Sequence, residues 1–213
     1  MPHTKFLENI KQKAKANPQK IIFPEAALDI RVLKGAIQAA KQKLCYSVLI
    51  GDPKQIQTLC SNHNVTIPDT CNIIPINTTD AQGRFLTETL LAKRAHKGLK
   101  AKEATQLLQN PHYFSTLLLE TENGQGIVAG AVSTTAETLR PVFQIIKTKD
   151  KFHHASSFFF MIKDEHIILF ADCAININPD SQTLAEIAID TAETAKLFNI
   201  TPKVAFLSFS TLG

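Results

Sequence analysis

Ser133, Thr134 and Thr135 stand in a row, and Arg140 follows within two helical turns. Hydroxyls at a helix start sit beside free backbone N–H groups, and a nearby guanidinium can grip two phosphate oxygens at once. The same residues can instead cap a core helix, with Arg140 paired to a surface carboxylate. Just upstream, Gly124, Gly126 and Gly130 let the backbone turn tightly and approach a ligand or another strand. Their spacing is one residue off the dinucleotide fingerprint, and the required strand, tight turn and acidic follow-on are not all present, which sets a Rossmann cofactor site aside. A second cationic group, Arg94, His96 and Lys97, closes a long predicted helix, where positive charge also suits the helix dipole. Asp172-Cys173 places a carboxylate next to a thiol whose pKa it could shift; a buried inert cysteine is the other reading. No GxSxG elbow supports Ser/His/Asp catalysis.

These groups need a frame, and the apolar pattern supplies one. Phe6, Ile10 and Ala14 recur at one-turn spacing in a first helix that Asn17-Pro18 stops. Short apolar runs at Lys20–Glu25, Tyr46–Asp52 and Cys71–Asn77 read as buried strands, with helices opening at Asp29 and Asp52-Pro53 between them. Such alternation predicts a parallel sheet with helices on both faces. From Thr79 to Leu119 the chain is helical, a long helix ending at Gly98 and shorter ones over Ala101–Leu108 and Pro111–Leu119. The helix after Ser133 is expected to bury Leu139, Val142, Phe143 and Ile146. Polar Thr148–Lys151 marks a junction, so the domains are expected at 1–148 and 149–213. Beyond it come a hairpin, His153–Ile162 and Ile167–Ala171, a helix over Ser181–Phe198 with Leu184, Ile187, Ala188, Ala195 and Phe198 inward, and a strand at Lys203–Phe209.

Composition narrows the function. A net charge of +4 without a Lys/Arg block argues against nonspecific nucleic-acid binding and suits a small anionic ligand. The polar N-terminus lacks the apolar core of a secretory signal, and FFFMI and IILFA are too short to span a bilayer, so a cytoplasmic protein with no membrane role is expected. Cys45, Cys60, Cys71 and Cys173 form no CxxC pair, which argues against structural zinc and fits reduced thiols.

Several strings then fall into one order along the whole chain: Phe23-Pro-Glu25 with Asp29 and Arg31–Lys34, Lys97-Gly98, YFSTLL (Tyr113–Leu118), GIVAGAVSTTAETLRPVFQIIKTK (Gly126–Lys149), SSFFFM (Ser156–Met161), FADCAIN (Phe170–Asn176), LAEIAIDTAETA (Leu184–Ala195) and PKVAFLSFST (Pro202–Thr211). Together they resemble the phosphate acetyltransferase (phosphotransacetylase) family, and match phosphate butyryltransferase less closely. The resemblance implies reversible acetyl transfer between acetyl phosphate and coenzyme A, with no metal. It implies an α/β fold similar to isocitrate and isopropylmalate dehydrogenases, two subdomains facing a cleft, and commonly a homodimer. It also implies that Arg94 and Arg140 bind substrate or coenzyme; the residues' own pattern adds Ser133, Thr134 and Thr135 as candidate binders. Cys173 matches a cysteine near the active site that is not the nucleophile, since the attacking thiol belongs to coenzyme A.

The chain departs from the family pattern at Gln125 (usually Asp), Ser133 (His or Asn), Ile177 (often Pro) and Leu212 (Lys or Gly). The family's catalytic Ser-Arg pair and Asp base have no counterpart here, and the resemblance places them beyond residue 213. The chain is therefore expected to be the N-terminal part of such an enzyme, truncated in its second subdomain. Its first subdomain would be incomplete without a C-terminal return segment, and turnover would be weak or absent. The alternative is a coenzyme A or acyl-phosphate binding or regulatory fragment that needs a separately encoded C-terminal partner.

Overall fold

Apolar residues that alternate their direction along Gln19–Phe23 (β1) and Cys45–Ile50 (β2) give each strand two inward faces, because both sides of a parallel sheet are covered. In the computed structural model, which describes residues 5–148, 153–164 and 166–207, Ile22 and Val48 face one layer while Phe23 and Leu49 face the other. The described residues divide into two units: Leu7–Lys147, and those from Thr148 on together with Lys5 and Phe6.

In the larger unit, β1 pairs in parallel with β2, and β2 with Cys71–Ile74 (β3). The connection between β1 and β2 is the helix Ile30–Lys41 (α2), whose N-cap Asp29 accepts the Arg31 N–H at 2.7 Å. Pro53–Asn62 (α3) then leads to β3, capped by Asp52 with Pro53 in the first turn. Ile56 and Cys60 of α3 join Leu33, Ala36 and Ile37 of α2 against one face of the sheet. The other face takes Ala81–Arg94 (α4), Ala101–Leu108 (α5), Pro111–Glu120 (α6) and Thr135–Ile145 (α7). Leu86, Leu90, Leu108, Phe114, Leu117, Leu118 and Ile145 fill that layer with Ile22, Val48 and Ile50. Fully burying one such side chain contributes about 1.5–3 kcal/mol. The first helix, Lys5–Ala16 (α1), buries no residue fully; Phe6, Ile10 and Ala14 are half-buried.

A fourth strand, Gly126–Ile127 (β4), pairs with the free edge of β1 in the register Ile21↔Gly126 and Ile22↔Ile127, giving the order β3-β2-β1-β4. The glycine-rich stretch thus meets another strand. The buried face of α7 differs in part from expectation, although Leu139 and Val142 are half-buried. Pro141 and Ile145 are its buried residues, while Phe143 and Ile146 are exposed. The helix is rotated so that Thr138 and Pro141, neither of which counts as an apolar signal, share the inward stripe with Val142 and Ile145.

The second unit is built on the antiparallel hairpin Phe158–Lys163 (β5) and His166–Ala171 (β6), followed by the helix Ser181–Leu197 (α8) with Asp180 as N-cap. Phe160 packs edge-on against Phe198, with ring centres 4.8 Å apart, and Phe6 lies 5.3 Å from Phe160. On α8, Thr183, Ile187 and Ala195 are buried and Leu184 is exposed. The expected strand at Lys203–Phe209 does not form over its described part. Residues up to Leu207 pair with no neighbour, and Val204, Phe206 and Leu207 are exposed, because a lone extended segment has no ladder to join. Ser208 and Phe209 lie outside the described residues.

Candidate functional site

In an open parallel sheet, the loops at the carboxyl ends of two neighbouring strands part where the strand order reverses, and ligands settle in the crevice they leave. Here that place lies between β1 and β4, because the chain builds outward from β1 through β2 to β3 and then returns to the opposite side. Pro24-Glu25 follows β1, and Val128–Thr134 follows β4 and leads into α7.

Glu25 is fully buried. Its carboxylate accepts the N–H of Ala131 at 2.9 Å and of Val132 at 3.4 Å, tying the two strand ends together. Burial alone would raise its pKa, but the Ala131 N–H, the Ser133 hydroxyl and the Val132 and Gly130 N–H groups outweigh burial and hold it below the usual carboxylate value. His112 of α6, also buried, places Nε2 2.8 Å from Ser133 Oγ and 3.7 Å from Glu25 Oε1. The Asn110 side chain caps α6 and so fixes the helix turn that carries His112.

The hydroxyl row therefore divides its work. Ser133 is half-buried and bonded to His112. Thr134 is the N-cap of α7: its hydroxyl accepts the Glu137 N–H at 3.2 Å, while Glu137 Oε2 accepts the Thr134 N–H at 2.8 Å. This capping box uses groups that would otherwise face an anion, and the Thr134 N–H and hydroxyl hold Glu137 below its usual pKa. Thr135 begins the helix and is exposed.

Arg140 is exposed and Arg94 half-buried, and among the described residues neither is in an ion pair. Both nevertheless act on one group. Packing of α4, α6 and α7 in one layer brings both guanidiniums close enough to act on the Tyr113 phenol of α6. Burial raises the pKa of that phenol, and Arg140 and Arg94 pull it partly back. The Tyr113 hydroxyl donates to Gln144 Oε1 at 2.8 Å, bracing α7 against α6 one turn beyond Arg140. The adjacent Lys93 is paired with Glu120 at 2.6 Å.

In the second unit, Asp172 does not address its neighbouring thiol. Its carboxylate accepts the Ser157 hydroxyl and the N–H groups of Ser157, Ala174, Ile175 and Asn176, along with the Asn176 amide. Burial pushes its pKa up, and these donors, the Ser157 hydroxyl foremost, bring it well below the ordinary value. Cys173 is half-buried, and its thiol donates to the Phe170 carbonyl at 2.9 Å. All four cysteines are free, and burial raises the pKa of Cys60 and Cys71. Among the described residues, no group of three or more His, Cys, Asp or Glu could hold a metal ion, and no helix is long and apolar enough to cross a membrane.

Glu25, His112, Tyr113 and Gln144 are not singled out by sequence reasoning. Glu25 left a trace as an acidic residue directly after the Pro that ends a buried strand, and Tyr113 and Gln144 lie within quoted strings without being marked there.

Fold and site together define an open parallel α/β protein with helices on both faces of its sheet. The model of the phosphate acetyl/butaryl transferase family matches residues 5–213, and the chain belongs to that family. It is 40% identical to the phosphate acetyltransferase of Bacillus subtilis over 98% of its own length and 63% of that protein's, and 39% identical to that of Helicobacter pylori over 97% and 39%. Among solved structures, the EutD phosphotransacetylase from Staphylococcus aureus superposes with a TM-score of 0.86 at 38% identity, covering 98% of this chain and 62% of that one. A phosphotransacetylase from Streptococcus pyogenes gives 0.88 at 36% identity, covering 98% and 63%. The chain thus spans less than two thirds of the length of these relatives.

Proposed function

We propose that this chain carries the phosphate-binding half of a phosphate acetyltransferase site, for reversible acetyl transfer between acetyl phosphate and coenzyme A. One observation supports the reading: Arg94 and Arg140, far apart in sequence, both act on the Tyr113 phenol, and among the described residues neither forms an ion pair, Glu137 lying within electrostatic reach of Arg140 without closing one. Two such guanidiniums suit a phosphate of coenzyme A or of the acyl phosphate, with the exposed Thr135 at the start of the helix that bears Arg140. In the reaction the coenzyme thiol loses its proton to a base, its sulfur bonds to the acetyl carbon, and the carbon–oxygen bond to phosphate breaks, releasing inorganic phosphate. The Glu25 carboxylate is engaged by the N–H groups of Ala131 and Val132, so it is not assigned as that base. On this reading the fold is that of isocitrate and isopropylmalate dehydrogenases, and Cys173 stands near the active site without acting as nucleophile.

A second reading makes the chain a binding fragment that needs a further segment, whether from a longer chain, a separate partner or a second copy. It is supported by a cavity of about 600 Å³ in the larger unit, lined by Phe23, Val32, Ala36, Ala39, Val128 and Ala129 beside the two-residue strand β4. A continuous thioester assay from acetyl phosphate and coenzyme A, run with coenzyme titrations on the same protein, separates the two. Binding without turnover supports the fragment reading. Turnover at a rate typical of enzymes, lost in Arg140→Ala, supports the complete enzyme, and absence of binding refutes both.

A further inference from the structure

The carboxylate of Glu25 takes no part in gripping an anion, yet it is 0 % exposed. Burying a charge is unfavourable unless its oxygens are bonded, so the fold must gain something from its position. Its backbone donors, Ala131 and Val132, belong to the loop between β4 and α7, and Ser133 of the same loop is held by His112. Elsewhere the loop is held at its start, where the Val128 N–H donates to the Ile22 carbonyl at 3.0 Å. Ala131 and Val132 are exposed and Val132 leaves 49 % of its surface in solvent, so apolar packing does not fix it, and β4 contributes only two paired residues. The loop runs directly into Thr134, the N-cap of the helix that bears Arg140.

We infer that Glu25 is a positioning residue: with His112 and Ser133 it clamps the β4–α7 loop and thereby sets where the α7 entrance and Arg140 stand. The charged groups around the clamp are Glu137 and Arg140 on α7, and Arg31 of α2, which lines the cavity on the other side of Glu25. Glutamine at position 25 keeps the size of the side chain, but it offers an NH₂ where the loop offers N–H donors. Aspartate keeps the charge.

The role in coenzyme binding rests on the function proposed above, whereas the clamp itself does not, and the test separates them. Residue-level hydrogen exchange on the full 213-residue chain compares wild type with Glu25→Gln, Glu25→Asp and Ser133→Ala, and isothermal titration with coenzyme A follows on each. Glu25→Gln should speed exchange at Ala131 and Val132 by about ten- to a hundredfold, the loss of a charge-assisted hydrogen bond, while β2 amides stay unchanged. Glu25→Asp should restore part of the protection, and coenzyme affinity should fall about tenfold in Glu25→Gln. Unchanged loop exchange, or a uniform rise through the larger unit, overturns the clamp. A local rise with unchanged affinity overturns the positioning role. If Glu25→Gln does not fold, Ser133→Ala decides, with a smaller local rise expected and none overturning the inference. Wild type failing to bind coenzyme A sinks the function proposed above, and the exchange comparison still judges the clamp.

Discussion

Gly83 and Gly35 are both helical glycines, and alanine at the two positions should act in opposite directions. Replacing glycine by alanine inside a helix gains about 1 kcal/mol in propensity. At Gly35 in α2 a new Cβ would have no atom within 4 Å, so this gain stands alone. At Gly83 in α4 the Cβ would lie 2.0 Å from the Asn77 carbonyl oxygen and 2.7 Å from Thr78 Cα, well inside the 3.4 Å at which ordinary contact begins. Both obstacles are backbone, which cannot swing aside as a side chain would. Overpacking of this kind costs about 1–3 kcal/mol and occasionally more. A backbone-to-backbone clash belongs at the upper end, so Gly83→Ala should lose about 2 kcal/mol net. At roughly 2–4 °C per kcal/mol for a chain of this size, its Tm should fall by about 4–8 °C, and that of Gly35→Ala should rise by about 2–4 °C. Thermal and urea unfolding followed by far-UV circular dichroism measures both. A Gly83→Ala protein as stable as wild type would refute the close approach of α4 to the Asn77-Thr78 turn, and with it the placement of Arg94 at the far end of that helix.

Coenzyme A titrations of Arg94→Ala, Arg140→Ala and the double variant should each show affinity reduced by roughly ten- to a hundredfold, with the double loss smaller than the product if both groups grip one phosphate; full additivity would mean separate contacts. With two tyrosines and no tryptophan in the chain, ultraviolet titration in a Tyr46→Phe background isolates Tyr113. Its pKa should rise further in Arg94→Ala and in Arg140→Ala, since each guanidinium favours the phenolate, and no change in either would place the arginines elsewhere. Asp172 has a pKa depressed in the folded state, so its contribution to stability is present above the unfolded value of about 3.8 and is lost as pH falls through the folded value. The Tm difference between wild type and Asp172→Asn should therefore be largest near neutral pH and close in acid; a difference independent of pH would contradict the assigned donors.

Much of the frame could be read from local chemistry. Asp29, Asp52 and Asp180 cap the helices expected after them, and the apolar runs at Ile21–Phe23 and Val48–Ile50 are strands, because capping and short buried runs are written in neighbouring residues. Strand β4 was not legible: two residues carry no periodicity, and it exists only because β1 offers an edge. The inward face of α7 was misread in part because Thr138 and Pro141 hide among stronger apolar signals. For the same reason the sequence directs attention to Arg94, Arg140 and the Ser133–Thr135 row but leaves out Glu25 and His112. Their roles come from contacts between segments distant in the chain, such as the Ala131 N–H on the Glu25 carboxylate.

That last contact also bears on how the polypeptide acquires its structure as it leaves the ribosome. Glu25 is made early, while the amides that saturate it arrive 106 residues later for Ala131. Until then its carboxylate must stay hydrated and the outer edge of the first strand unpaired. Pairing across such a separation closes a long loop at an entropic cost, and contacts of this kind slow folding. The nascent chain therefore passes through a stage in which three strands and their helices can assemble but the carboxyl end of the first strand cannot, and destabilised variants should collect at that stage.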